Sequence, residues 1–434
     1  MLLDGDDAGV MDELATPPEP LGRMRTVRAG FIPLVDCAVL VVAVEKGFAR
    51  AEDIDLVLSR ESSWSNVRDR LTIGQFDCAH ILAGVVIASQ LDVGNPMVPL
   101  IAPMSLGLNG NAITVSNALW ERMAEAGGLT GKDSPAAMGA ALASVIAADR
   151  AAGRPALSFG MVYPYSCHNY ELRYWLAAAG IHPDRDLRLA VVPPPYMPDY
   201  LRDGYLDGFC VGEPWNSLSV SQGLGRIIVP KSWLWRLSPE KVLGVRSDWA
   251  DANPATLDAL VRALTCAAAW ADLPENREEL SALLARSEYL GIPADTIRQI
   301  LSGEIPFAKD GAPVSVEDYI VFNKAAATFP WRSHAMWIYS QMVRWGQAKA
   351  SPEAASAAAR SYQPELYRRA VRGTDVTVPG GNVKAEGALS EQTPFGSNSG
   401  RLYLGPDEFF DDRVFDPDKI DAYVEDFKIH SRDR

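Results

Sequence analysis

The chain has 434 residues, with 41 Lys+Arg against 55 Asp+Glu, a formal charge of −14 and 48% hydrophobic residues. An acidic chain without a Lys/Arg block is a poor match for nucleic acid, whose phosphates call for a basic face. So much apolar material also excludes disorder over most of the length and suffices for two or three units of about 100–200 residues.

Residues 1–24 hold six acids (Asp4, Asp6, Asp7, Asp12, Glu13, Glu19), one base (Arg23) and prolines at 17, 18 and 20. That composition reads as a solvated acidic tail, not as the basic and then apolar start of an export signal, so a cytoplasmic location is expected. The longest early apolar run, residues 37–44, is far short of the ~20 residues that span a bilayer, and no membrane contact is expected. From Arg25 short apolar runs alternate with helical patterns. Strands are predicted at 27–34, 54–58 and 76–81, with a helix at 65–73. Residues 39–47 suit a helix by their small residues and a strand by their valines. Strands separated by about 10–15 helical residues imply parallel pairing through right-handed crossovers.

Residues 101–116 carry two apolar stretches around a Gly/Asn turn and read as a crossing between lobes. Helices follow at 119–126, 136–152 and about 169–179, with strands at 157–162, 187–192, 208–211, 227–229 and 242–245. One βαβ unit is thus interrupted by a second and then resumed. The expected division is lobe I at 25–112, lobe II at 113–239, a helical return to lobe I at 240–372, and a C-terminal wrap and acidic tail at 373–434. Ten acids against five bases in residues 405–434, together with the acidic start, leave the body between the ends nearly balanced.

The usual catalytic signatures fail. Residues 127–133 have the wrong glycine spacing and an Asp where a phosphate loop needs Ser/Thr. The stretch from Gly223 lacks the third glycine of a dinucleotide fingerprint, and Asn398 stands where a nucleophile elbow needs serine. His80, His168, His182, His334 and His430 form no His-x-x-x-His or His-x-His pair. Cys37, Cys78, Cys167, Cys210 and Cys266 are too far apart for a zinc knuckle and read as small buried hydrophobes in a reducing compartment. No catalytic residue, metal or cofactor is expected, and the chain is not read as an enzyme.

Several polar or aromatic residues fall at turns between buried strands. Ser62-Ser63-Trp64 follows the second strand, at the carboxyl end where α/β lobes meet ligands. Asn109-Gly110-Asn111 lies at the lobe crossing. His168 sits in a loop opening into the helix from Tyr170, whose free N–H groups suit an anion. Gly212-Glu213-Pro214-Trp215-Asn216 follows a buried strand, and Lys241 stands at the entrance of another. An edge tryptophan, a plain turn, a capping histidine and a solvated lysine fit the same residues.

On the blocks Ser166 to Gly180, Val192-Pro-Pro-Pro195, Asp207 to Asn216 and Pro239 to Val245, the chain resembles the nitrate/bicarbonate substrate-binding family of ABC transporters. The resemblance implies an α/β, two-lobed type II periplasmic-binding-protein clamp with a helical and extended C-terminal extension. In nitrate-binding members a Trp, a side-chain amide, a His and a Lys hold the anion. These fall on Trp64, Asn111, His168 and Lys241, with the Val211 to Glu213 backbone nearby. Bicarbonate-binding relatives are acidic at the lysine position and enlist calcium, so Lys241 implies nitrate or nitrite. Asn111 stands where transporter subunits carry Gln. Without an export signal or lipobox, the chain resembles the cytoplasmic branch typified by NasS, which sequesters a NasT-like ANTAR-type RNA-binding antiterminator until ligand arrives. The expected function is therefore a cytoplasmic nitrate/nitrite sensor with no direct nucleic-acid contact. The alternative is a substrate-binding subunit of a nitrate or bicarbonate ABC transporter. An enzyme on the same clamp, such as the thiamine-precursor synthases, lacks a nucleophile or cofactor motif here.

Overall fold

In the computed structural model, which describes residues 24–94 and 98–431, the first strand Arg25–Phe31 (β1) pairs in parallel with Ile54–Arg60 (β2) and Cys78–Leu82 (β3). The expected acidic tail at 1–24 lies outside the described residues except for its last residue. Between β1 and β2 the ambiguous valine-rich run is a helix, Ala38–Glu45. Parallel neighbours need a crossover, and this demand outweighs the strand preference of valine. The helix is buried from Ala38 to Ala43 and packs on the long helix Pro254–Asp272.

After Leu100–Ser105 (β4) and the two-residue strand Leu108–Asn109 (β5), which pairs with Ile320–Val321, the chain builds a second sheet. Its strands are Asn111–Ser116 (β6), Ser158–Met161 (β7), Arg188–Val191 (β8), Gly208–Gly212 (β9) and Gly225–Pro230 (β10), in the order β10-β6-β9-β7-β8. Lys241–Arg246 (β11) then returns to the first sheet and lies antiparallel between β3 and β4, giving β2-β1-β3-β11-β4. The second sheet begins at Asn111, ahead of the expected boundary at 113, and Lys241 is the first residue of its strand.

The two lobes are shut against each other. Val35 N–H donates to Glu213 O at 2.8 Å, and Trp215 Nε1–H donates to Pro33 O at 3.2 Å. Among the described residues no helix is long and apolar enough to cross a membrane. Helices Ala83–Gln90 and Trp215–Ser221 have no counterpart in the sequence reading, and the helical stretch after Asn253 also holds a small hairpin, Glu304–Pro306 with Pro313–Ser315.

The wrap at 373–400 is largely irregular, with one short strand pairing, Thr393–Phe395 to Leu402–Leu404. The expected acidic tail is instead docked. Phe409 stacks on Trp235 with ring centroids 4.4 Å apart, Tyr174 Oη–H donates to Asp411 at 3.0 Å, and Trp337 Nε1–H donates to Tyr423 Oη at 3.2 Å. Buried Asp407 pairs with Lys384 at 2.6 Å. Aromatics interleaved with the acids supply an apolar face, so net charge was a poor guide to exposure.

Candidate functional site

Trp64, Asn111, His168 and Lys241 are each no more than 1% exposed. Trp64 opens the helix Trp64–Thr72, whose cap Ser63 accepts from Asn66 N–H at 3.2 Å. Asn111 opens β6 opposite Gly212 of β9, just after Gly110 at φ +84°, where a side chain would be strained. His168 is the second residue of the helix Cys167–Ala178. This helix starts earlier than expected because Ser166 caps it, accepting from Asn169 N–H at 3.1 Å. Lys241 opens β11 opposite Leu82. Two helix N-termini, one from each lobe, thus deliver Trp64 and His168 with positive dipole ends.

Lys241 is neither solvated nor free to face an anion alone. Its Nζ lies 2.7 Å from Asp36 Oδ2 and 2.5 Å from Glu240 Oε2, with His168 Nε2 at 3.3 Å and Asn111 Oδ1 at 3.5 Å. Asp36 Oδ1 takes a hydrogen bond from His80 Nε2 at 2.8 Å, and the His80 ring lies 5.6 Å from that of Trp64. Glu240 Oε1 accepts from Asn111 Nδ2 at 2.5 Å and from Lys231 Nζ at 3.1 Å. Lys231 also meets Glu171 Oε1 at 2.8 Å and Pro239 O at 2.7 Å. Asn111, shorter than glutamine, uses its amide to bridge Glu240 and Lys241.

Asp36, His80, Glu171, Lys231 and Glu240 were therefore missed. Weak signals existed: His80 interrupts an apolar strand, Asp36 sits in an apolar stretch, and Glu171 lies one turn after Cys167 on the same helix face. The Val211 to Glu213 backbone was expected near the anion; the Glu213 side chain turns away from the cluster. It accepts from Tyr319 Oη and from Ser217 Oγ at 3.0 Å and Ser217 N–H at 3.1 Å. Its N–H is committed to Gly110 O at 2.8 Å, and Val211 O accepts from Asn216 Nδ2 at 2.8 Å. Between them Gly212 comes closest: a Cβ there would lie 3.3 Å from Lys241 Nζ and 3.2 Å from Asn111 Oδ1.

Burial acts to raise the Asp36 carboxyl, but Lys241 and His80 outweigh it and hold it at about 2. Burial is likewise overcome at Glu240, where Lys231 and Lys241 depress the carboxyl. At both lysines the neighbouring carboxylates outweigh burial and favour the charged form. Burial and then the Lys241 ammonium push His168 down to about 3, so its ring is neutral. Burial lifts Glu171 to about 7 despite Lys231, and lifts Glu213 to about 7.

A neutral His168 accepts from the ammonium at Nε2, which leaves its proton on Nδ1. That Nδ1 and Trp64 Nε1 are buried without a hydrogen-bond partner. Each orphaned donor costs about 1–3 kcal/mol until an acceptor arrives. Cys167, Glu171 and Glu240 bring ligand-type atoms within 4.8 Å of one another, yet the Lys231 ammonium contacts both carboxylates and holds the position a cation would take.

Residues 22–285 match the NMT1-like family. The chain is 31% identical over 414 residues to the nitrate/nitrite binding protein NrtA of Nostoc sp. PCC 7120, covering 94% of this chain and 87% of that protein. It is 37% identical over 345 residues to the nitrate import ATP-binding protein NrtC of Synechocystis sp. PCC 6803, covering 79% of this chain and 49% of that protein, and so spans about half the length of that relative. The crystal structure of the periplasmic nitrate-binding protein NrtA from Synechocystis PCC 6803 superposes with a TM-score of 0.81 at 28% identity, covering 94% of this chain and 99% of that one.

Proposed function

Since the chain belongs to the NMT1-like family, and within it to the NrtA/CmpA-like substrate-binding proteins with the two-lobed periplasmic-binding-protein fold, we propose that it binds nitrate or nitrite between its lobes. One observation carries this reading: two buried N–H donors without acceptors, Trp64 Nε1 and His168 Nδ1, in the sealed interlobe cluster that contains Lys241. Nitrate offers only acceptors and a single charge, which matches orphaned donors. The nearby Asp36 and Glu240 carboxylates disfavour a divalent anion.

One relative is named for nitrate import and another, of known structure, is a periplasmic nitrate-binding protein, which supports delivery of the anion to a membrane ABC permease by an exported protein. The cytoplasmic sensor expected from the sequence would use the same closure to release a NasT-like ANTAR-type regulator. No named relative supports that outlet, and transport is the reading adopted. Only differential affinity for two states could drive either outlet.

Titration calorimetry with nitrate, nitrite, and bicarbonate with and without calcium tests the ligand. Heat from nitrate or nitrite without calcium is expected; a response to bicarbonate plus calcium alone would overturn the assignment. Affinity capture from cells, with bound proteins identified by mass, tests the outlet: a permease supports transport, and an ANTAR-type regulator would replace it with sensing.

A further inference from the structure

The charges around the proposed anion position do not balance. Asp36, Glu171 and Glu240 face Lys231 and Lys241, so three carboxyl groups meet two ammonium groups, each of the five no more than 6% exposed. All this is closed from solvent before any anion is counted. Adding a monovalent anion would set four negative groups against two positive ones, and an uncompensated buried charge costs several kcal/mol. The dipoles at the two helix N-termini offset only part of this.

We propose that the interlobe site takes its anion together with one proton from solvent, and that the Glu171 carboxyl receives that proton. The inference rests on the anion-binding reading above and adds a second, ionic ligand to it.

The hydrogen-bond partners single out Glu171. Asp36 is held by both His80 and Lys241, and Glu240 by Lys231, Lys241 and Asn111. Glu171 has only Lys231, on one oxygen, while Oε2 is buried without a hydrogen-bond partner and so can carry a proton at no cost in lost contacts. The other groups facing Glu171 are Glu240 and Lys241 at the start of β11, Cys167 and His168 on its own helix, and Cys210 from β9. His168 is a poor acceptor because its free nitrogen already faces the Lys241 ammonium. Burial, only partly offset by Lys231, holds the Glu171 carboxyl up to about 7, so it is the first of the three to take a proton near neutral pH.

The sign follows. Below about pH 7 Glu171 is already protonated and the anion binds without exchange; above it each bound anion draws in a proton, and affinity falls by up to about tenfold per pH unit. Calorimetric titration of the full chain with sodium nitrate in two amine buffers of different ionisation enthalpy, Tris and triethanolamine, counts the protons at about pH 8. Uptake of about one proton is expected, falling toward zero at about pH 6 in bis-Tris and imidazole. Glu171→Gln copies the protonated carboxyl and should bind nitrate with no buffer dependence and a flat pH profile. Nitrate binding without proton uptake in the wild-type chain refutes the proposal and leaves the anion-binding reading intact. Uptake that persists in Glu171→Gln also refutes it, by placing the proton elsewhere. Absence of binding at both pH values with sodium nitrate and, in a parallel titration, with sodium nitrite removes the anion-binding reading and this proposal with it. The wild-type measurement decides even where the variant fails to fold.

Discussion

In Lys241→Met, Asp36 and Glu240 each lose an ammonium that stands 2.7 and 2.5 Å away. Asp36 keeps His80, and Glu240 keeps Lys231 and Asn111, so the damage is the breaking of a buried pair, about 3–5 kcal/mol. With unfolding entropy of about 2.1 cal/mol/K per residue, the 434 residues carry about 0.9 kcal/mol/K, which converts that loss to a fall of about 3–6 °C in Tm. The pH dependence has a definite sign. In the wild-type chain the Asp36 carboxyl is held at about 2, below its usual 3.8, so its contribution is present above 3.8 and lost as pH falls through about 2. Without Lys241, burial dominates and lifts the carboxyl above its usual value. Its contribution is then full in acid and lost as pH rises. The deficit of the variant should therefore be larger at about pH 8 than at about pH 5. Differential scanning fluorimetry at both pH values reads this directly, and added nitrate should raise the Tm of the wild-type chain alone. A deficit independent of pH, or below about 1 °C, would show that the ammonium does not neutralise these carboxylates.

Trp64→Phe removes a buried N–H that has no partner while keeping most of the ring. It should weaken nitrate binding about tenfold and leave the anion-free Tm unchanged or slightly raised; equal affinity would place the anion away from Trp64. Gly212→Ala sets a methyl 3.3 Å from Lys241 Nζ, 3.2 Å from Asn111 Oδ1 and 3.4 Å from Leu34 Cδ2. Calorimetry should show a loss of about tenfold in affinity with a small change in Tm, and unaltered binding would mean the anion does not approach this strand end. Phe409→Ala removes the ring stacked on Trp235 and should cost about 3–5 kcal/mol with faster proteolysis of the C-terminal segment; a loss under about 1 kcal/mol would show that the docked tail adds little.

The two-lobe architecture was legible because strand-length apolar runs alternate with helical spacers and one βαβ unit interrupts another; the run from Cys78 to Gln90, which holds a strand and then a buried helix, hid the latter. Trp64, Asn111, His168 and Lys241 stood out by their places at turns and strand ends, their ligand roles came from family resemblance, and the structure buries all four. The charge pattern was hidden. Glu240-Lys241 reads as an ordinary solvated pair, because Asp36, Glu171 and Lys231 reach it only once both lobes are folded and shut. The role of the Glu213 side chain was not legible either: its carboxyl secures Tyr319 and the first turn after Pro214. The docked tail was masked by acids, while Phe409, Phe415, Tyr423 and Phe427 between them carried the packing signal.

The place of β11 has a consequence for assembly. It fills the gap between β3 and β4, yet it is made only after the whole second sheet. A nascent chain that has reached Ser105 therefore carries two strands with the one between them missing, and its open edges invite pairing with other chains. The second lobe is in the opposite position. It enters at Asn111 and leaves at Pro230, and Ala112 pairs with Pro230, so its ends lie side by side. That lobe is a cassette which could be lifted out, swapped or inherited whole, whereas the first lobe exists only as a frame closed around it.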